Sequence, residues 1–137
     1  MNIILSIHPK WAKLIYEGLK TIEWRKTIPH RMDSVKLRDG NPDVKVYLYE
    51  TSPVRLVTGY FYWGGVTIND ARGMKVDNHR LLAGIVGLEE LQKYQGENCN
   101  ICAWHVKAPC KFGAPISIGQ FGLKRPPQSW CYTEVDV

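Results

Sequence analysis

Two neighbouring runs of β-type residues constrain this chain more than any other feature. Across residues 44–51, Val44, Val46 and Leu48 alternate with Lys45, Tyr47 and Tyr49. A period of two places successive side chains on opposite faces of a strand. Leu56 to Trp63 is a second strong run. Ser52-Pro53 breaks the first and Gly64-Gly65 ends the second, so the two pair as a hairpin. Other segments read the same way: Ile3–Ile7 as a buried strand, residues 21–26, Ile101–Val106, a short strand at Ile116–Ile118, and a last one at Ser129–Thr133. Helical spacing is local. Pro9 opens a short helix with Trp11, Leu14 and Ile15 on one face, and Gly18 stops it in a left-handed turn. Between residues 66 and 98, Leu81, Leu82, Ile85, Leu88 and Leu91 mark short helices interrupted by Gly84, Gly87 and Gly96. Residues 29–42 read as a polar loop with a short strand at 35–37, and Lys107-Ala108-Pro109 as a bend or an edge position. Strand and helix do not alternate regularly. The expected fold is therefore α+β, a small mixed β-barrel of about five or six strands with flanking helices, in a single domain over residues 1–137.

Composition narrows the class. Hydrophobic residues make up 45% and charged residues 23%, which excludes a disordered tail, a collagen-like repeat and a simple coiled coil. No apolar run reaches the roughly 18 residues of a membrane-spanning helix. The opening MNIILSIHPKW lacks the basic stretch and apolar core of an export signal, so the expected location is cytoplasmic and the four cysteines reduced. Cys99 and Cys102 form one C-x-x-C, with His105, Cys110 and Cys131 further on. A single such pair is a weak zinc signal. The plainer expectation is that Cys102, Cys110 and Cys131 are small buried hydrophobes on strands, with no metal and no cofactor. Eighteen Lys and Arg against thirteen Asp and Glu favour an anionic partner: nucleic acid, a phosphorylated metabolite or an acidic protein face. Lys20, Arg25, Lys26, His30, Arg31, Lys36 and Arg38 crowd one quarter of the chain, as a phosphate-binding patch would require.

The stretch Gly18-Leu19-Lys20-Thr21-Ile22-Glu23-Trp24-Arg25-Lys26 carries the chemistry. On a strand Thr21, Glu23 and Arg25 share one face, while Ile22 and Trp24 take the core. Glu23 lining a cleft would need a cationic partner, and Lys20 and Arg25 are the natural ones. A partly desolvated lysine can act as base or nucleophile. An Arg–Lys pair beside a carboxylate can instead hold a nucleobase or phosphate. A solvated strand face with a routine ion pair is the bland alternative. Tyr49, Thr51 and Ser52 at a strand end, Gln128 and Ser129 near the C-terminus, and Ser6 with His8 on the first strand are candidates for the cleft rim. Tyr47, Tyr49, Tyr60, Tyr62 and Trp63 suit either base stacking or sheet packing.

The pattern G-x-K-x-x-E-x-R (Gly18, Lys20, Glu23, Arg25) after a strand and a helix resembles the signature of ASCH domains, members of the PUA-like group. ILSIHPKWAKLIYEGLKTIEWRK, VYLYETSPV with the following Gly59, and the closing Pro126-Pro127-Gln128-Ser129-Trp130 resemble an ASCH subgroup of bacterial and phage proteins labelled predicted transcriptional regulators. The resemblance implies a PUA-like barrel and RNA bound in a cleft over it, with Lys20, Glu23, Arg25, Ser6, Tyr49, Thr51, Ser52 and Ser129 as the nucleic-acid-binding residues. It also implies an alternative. Some small members act as amidohydrolases on acetylated cytidine, and others have been described as ribonucleases. On that reading Lys20 is base or nucleophile, with Glu23 and Thr21 as catalytic companions. Glu23 stands where those amidohydrolases place a hydroxyl. Their second carboxylate has Tyr60, Phe61 and Tyr62 in its place, with Glu50 the nearest acid. A regulator that binds another protein is the third expectation.

Overall fold

The structure is a computed structural model that describes residues 1–72, 76, 78–98 and 100–137. Among the described residues it holds six strands and four α-helices: β1 (Asn2–Ile7), α1 (Pro9–Tyr16), β2 (Ile22–Arg25), α2 (Ser34–Asp39), β3 (Asn41–Glu50), β4 (Leu56–Asn69), α3 (Asn78–Gly84), α4 (Leu88–Gln95), β5 (Ile101–Ile116) and β6 (Trp130–Thr133). The strands form one mixed sheet in the order β2-β5-β4-β3-β1-β6. Class and strand number agree with the sequence reading. Among the described residues, no helix is long and apolar enough to cross a membrane.

The chain divides into two compact units, and β4 and β5 run through both. The first comprises residues 1–19, 42–63 and 107–137. There β1 lies parallel to β3, with Ser6 opposite Tyr49 and Ile7 opposite Glu50, and antiparallel to β6. Its core gathers Ile4, Tyr47, Tyr49, Val57 and Phe121, and Tyr47 meets Phe121 edge-on at 5.0 Å. The crowded aromatics of the hairpin thus serve packing. The first helix closes as expected: Gly18 adopts φ 78° and the Leu19 amide reaches back to Leu14 O.

The second unit comprises residues 20–41 and 64–106. Its core joins Ile22 and Trp24 of β2 to Ile101 and Ala103 of β5, with Ala71, Val76 and Leu91, and Leu81, Ala83, Val86 and Leu88 packed against them. Helix α4 is tied down by polar anchors. Gln95, fully buried, accepts from the Ala71 amide at 2.8 Å and donates to Asp70 Oδ1 and Asn98 O, both at 2.9 Å; Gln92 donates to Ala71 O.

Four local expectations are corrected. Residues 34–39 form α2, not a strand, because Asp33 accepts from the Lys36 amide and caps a helix. Strand β4 does not end at Gly64-Gly65. It runs on to Asn69, and Gly65, at φ 105°, leaves room for the backbone of Arg38 where a Cβ would collide. The bend at 107–109 is absorbed within β5, with Ala108 at φ 45°, so Ile116 ends that strand instead of starting another. Of the cysteines, Cys102 is buried and Cys131 half-buried, but Cys110 is exposed because the outer part of β5 is largely solvated. Cys99 lies outside the described residues.

Candidate functional site

The ionic row sits on β2, at one edge of the sheet. The antiparallel register places Ile22 opposite His105, Glu23 opposite Trp104, Trp24 opposite Ala103 and Arg25 opposite Cys102. Directly opposed residues share a face. Glu23 and Arg25 therefore lie beside Trp104 and Cys102, and Ile22 and Trp24 turn toward the helices. Both faces of the strand are covered, so the polar row is not a solvated exterior.

Lys20, 2% exposed, is the most buried charged side chain described. Its Nζ donates to Gly84 O at 2.6 Å and Ile22 O at 2.9 Å, and lies 3.7 Å from Glu23 Oε1. The Gly84 carbonyl is available for a physical reason: the last carbonyls of a helix have no partner within it. At the end of α3 the Thr21 amide takes Ala83 O at 2.9 Å, and Lys20 takes the next carbonyl. A cation at a helix C-terminus is also favoured by the helix dipole. Ile85, just beyond, holds φ 55°, a position normally given to glycine, which marks this turn as held by its surroundings. Glu23, 7% exposed, links the two cations. Its Oε2 lies 3.6 Å from the Arg25 guanidinium and accepts no hydrogen bond. Burial pulls the proton affinity of Lys20 below the ordinary lysine value; Glu23 pulls it back up and Arg25 pushes it further down.

Gly84 is tight for a second reason. A Cβ there would run into the indole of Trp24, whose buried Nε1–H donates to no partner. Gly84→Ala is expected to destabilise the fold by about 1–3 kcal/mol. A lower urea midpoint together with a shifted Trp emission would register it.

The other predicted site residues fall as follows. Thr21 is exposed and contributes its backbone, accepting from the Val106 amide. In the first unit Ser6 donates to Pro127 O at 2.6 Å, its amide bonds Ser129 O, and the Thr51 amide bonds Ile7 O; these gather Ser6, Thr51 and Ser129 around the end of β1. Ser52 is exposed in the following turn. Tyr49, opposite Ser6, is buried in the apolar cluster with Phe121. His8 is exposed and makes no side-chain cap. Glu50 is buried near the Tyr16 hydroxyl, which bonds Thr58 at 2.7 Å; burial raises the proton affinity of Tyr16.

One residue absent from the sequence reading stands beside the row. Tyr94 of α4 has its hydroxyl raised chiefly by burial, lowered by Arg25 and raised by Glu23 and Cys102, so it lies within their electrostatic reach. Lys26 Nζ sits over its ring, 4.8 Å from the centroid. The only sequence cue was an aromatic one place before the buried Gln95. Lys26, His30, Arg31, Lys36 and Arg38 are exposed, as the basic patch requires, although Arg38 is gripped by Asp39 at 2.8 Å. A cavity of about 550 Å³ in the same unit is lined by Ile28, Leu37, Val66 and Ile68 with Ser34, Arg38, Asp39 and Thr67 at its margin, and none of the ionic row borders it. Among the described residues no three His, Cys, Asp or Glu side chains come together as a metal-binding group.

Comparison with known proteins adds four findings. A family model described as the ASCH domain matches residues 5–115. An ASCH domain-containing ribonuclease of Zymomonas mobilis is 31% identical over 67 residues, 49% of this chain and 39% of the relative, so the match spans well under half of that protein. The crystal structure of ASCH from Zymomonas mobilis superposes with a TM-score of 0.75 at 22% identity, covering 97% of this chain and 87% of that one. A crystallised mutant of the same protein gives 0.74 at 21% identity, covering 97% and 88%.

Proposed function

The chain belongs to the ASCH domain family, and we propose that it is an RNA-binding protein whose ligand is held at the basic edge of the sheet around Arg25. The observation that carries this reading is the buried Lys20–Glu23–Arg25 row. Burying three ionic groups is costly unless they hold something in place. Here Lys20 is fixed by two carbonyls, Glu23 is fixed between Lys20 and Arg25, and Arg25 is thereby aimed. Arg25 is 14% exposed, and the ligand-facing duty falls to it. A planar guanidinium suits phosphate in two-point fashion, and the exposed cations that follow it in sequence extend the path of a phosphate backbone. The ribonuclease name of the Zymomonas relative supports RNA as the polyanion. On this reading Thr51, Ser52 and Ser129 supply neutral donors in the first unit and Ser6, whose hydroxyl proton goes to Pro127 O, an acceptor, and the protein acts in the cytoplasm as an RNA-dependent regulator.

Cleavage of RNA is the second reading, favoured by the same relative's name. In it Lys20 gives up its proton and serves as base, with Glu23 and Thr21 as companions, and its lowered proton affinity points the same way. Two assays separate the readings. A labelled single-stranded RNA titrated at several salt concentrations gives a steep loss of affinity with salt if RNA is the ligand. Incubating that RNA, and separately N4-acetylcytidine, with wild type and Lys20→Arg tests turnover. Turnover abolished by Lys20→Arg, which keeps the charge but cannot act as base, supports cleavage or deacylation. Binding with no turnover supports the first reading. No RNA binding at any salt overturns both.

A further inference from the structure

Tyr94 is placed as a ligand-gripping ring would be. Its helix is anchored by its neighbours: Leu91 is buried, Gln92 bonds Ala71 O, and Gln95 is enclosed by three hydrogen bonds to Ala71, Asp70 and Asn98. Those anchors hold the backbone on both sides of Tyr94 and leave the residue itself 41% exposed. The ring lies under the Lys26 ammonium, and its hydroxyl end lies in the field of Arg25 and Glu23. An exposed aromatic fixed beside two cations on a basic edge combines the two elements that bind single-stranded nucleic acid: a stacking surface and phosphate-neutralising charge. The tyrosines that looked suited to stacking in the sequence are engaged elsewhere, Tyr47 and Tyr49 in the core and Tyr60 against Tyr47 and Tyr62.

We propose that Tyr94 is the nucleobase platform of the RNA site: one unpaired base stacks on its ring while Lys26, displaced from over it, and Arg25 take the flanking phosphates. This rests on the RNA-binding reading and adds that the site recognises an unstacked base, hence single strands over duplex. The ring selects for a base and is indifferent to which one, because every base presents a π-face.

The test uses the full chain, a fluorescent 12-nucleotide single-stranded RNA, and inorganic polyphosphate as a competitor that has charge but no bases. Tyr94→Ala is expected to weaken RNA binding by about tenfold and to leave polyphosphate binding unchanged. Tyr94→Phe, which keeps the ring and the fold, binds RNA within about twofold of wild type. Arg25→Ala weakens both ligands. If Tyr94→Ala binds RNA like wild type while Arg25→Ala does not, the platform is wrong and the RNA site stands. If Tyr94→Ala loses RNA and polyphosphate equally, the ring only positions Lys26 and the platform is again wrong. If the wild type binds no RNA, the reading beneath the proposal fails.

Discussion

Lys20→Met is expected to destabilise the protein by about 3 kcal/mol, a loss typical of breaking a buried ion pair from one side. Three things go wrong together. Glu23 keeps a buried charge with one counter-ion fewer, and the carbonyls of Ile22 and Gly84 lose their donor. Glu23→Leu alone is destabilising for the converse reason, since it leaves Lys20 buried as an uncompensated cation. The double variant removes both charges and recovers part of the loss, giving a coupling of roughly 1–3 kcal/mol in a double-mutant cycle. Strict additivity of the two single changes in urea unfolding would show that the pair is not an interacting unit. The same group predicts a pH dependence. Burial lowers the folded-state pKa of Lys20 below the ordinary 10.5, so between those two values the unfolded chain binds the extra proton. Stability therefore rises with pH across that window, and below it the burial penalty is present in full. The rise is absent in Lys20→Met. Above about pH 10 the Tyr16 hydroxyl, raised by burial, works in the opposite direction and caps the gain.

The second large effect concerns the ligand. Arg25→Glu is expected to weaken binding of single-stranded RNA by about 100-fold at low salt, and Arg25→Ala by about tenfold with the salt slope reduced by about one. Arg25→Lys recovers most of the slope, which reports charge, and less of the affinity, which also reports the planar two-point geometry. Because Arg25 neighbours Glu23 at 3.6 Å, circular dichroism must first show each variant folded. Anisotropy titrations between low and physiological salt give both numbers. An unchanged slope in Arg25→Ala would remove Arg25 from the phosphate path.

Much of this was legible in the residues themselves. The alternation through β3 and β4, the Pro9–Gly18 frame of α1 and the pattern Gly18, Lys20, Glu23, Arg25 specify their elements locally, and they recur in the structure. What was illegible depended on distant partners. That Lys20 is buried could not be read from its neighbours, because its acceptor Gly84 is 64 residues away. Helix α2 was missed because a single cap, Asp33, outweighed a polar, turn-rich composition. The continuation of β4 past Gly64-Gly65 reflects the close approach of Arg38, a tertiary reason for glycine that mimics a turn signal. Tyr94 carried no periodic or motif signal at all, and only the anchoring of α4 by Gln95 reveals its orientation beside the ionic row.

An NMR titration of the uniformly labelled protein with a short single-stranded RNA examines the whole proposition at once. Binding at the β2 edge predicts amide and side-chain shifts concentrated at Thr21 to Lys26 and at Tyr94, with the Arg25 Nε resonance moving most. Perturbations confined to other parts of the chain, with those signals stationary at saturation, would contradict it.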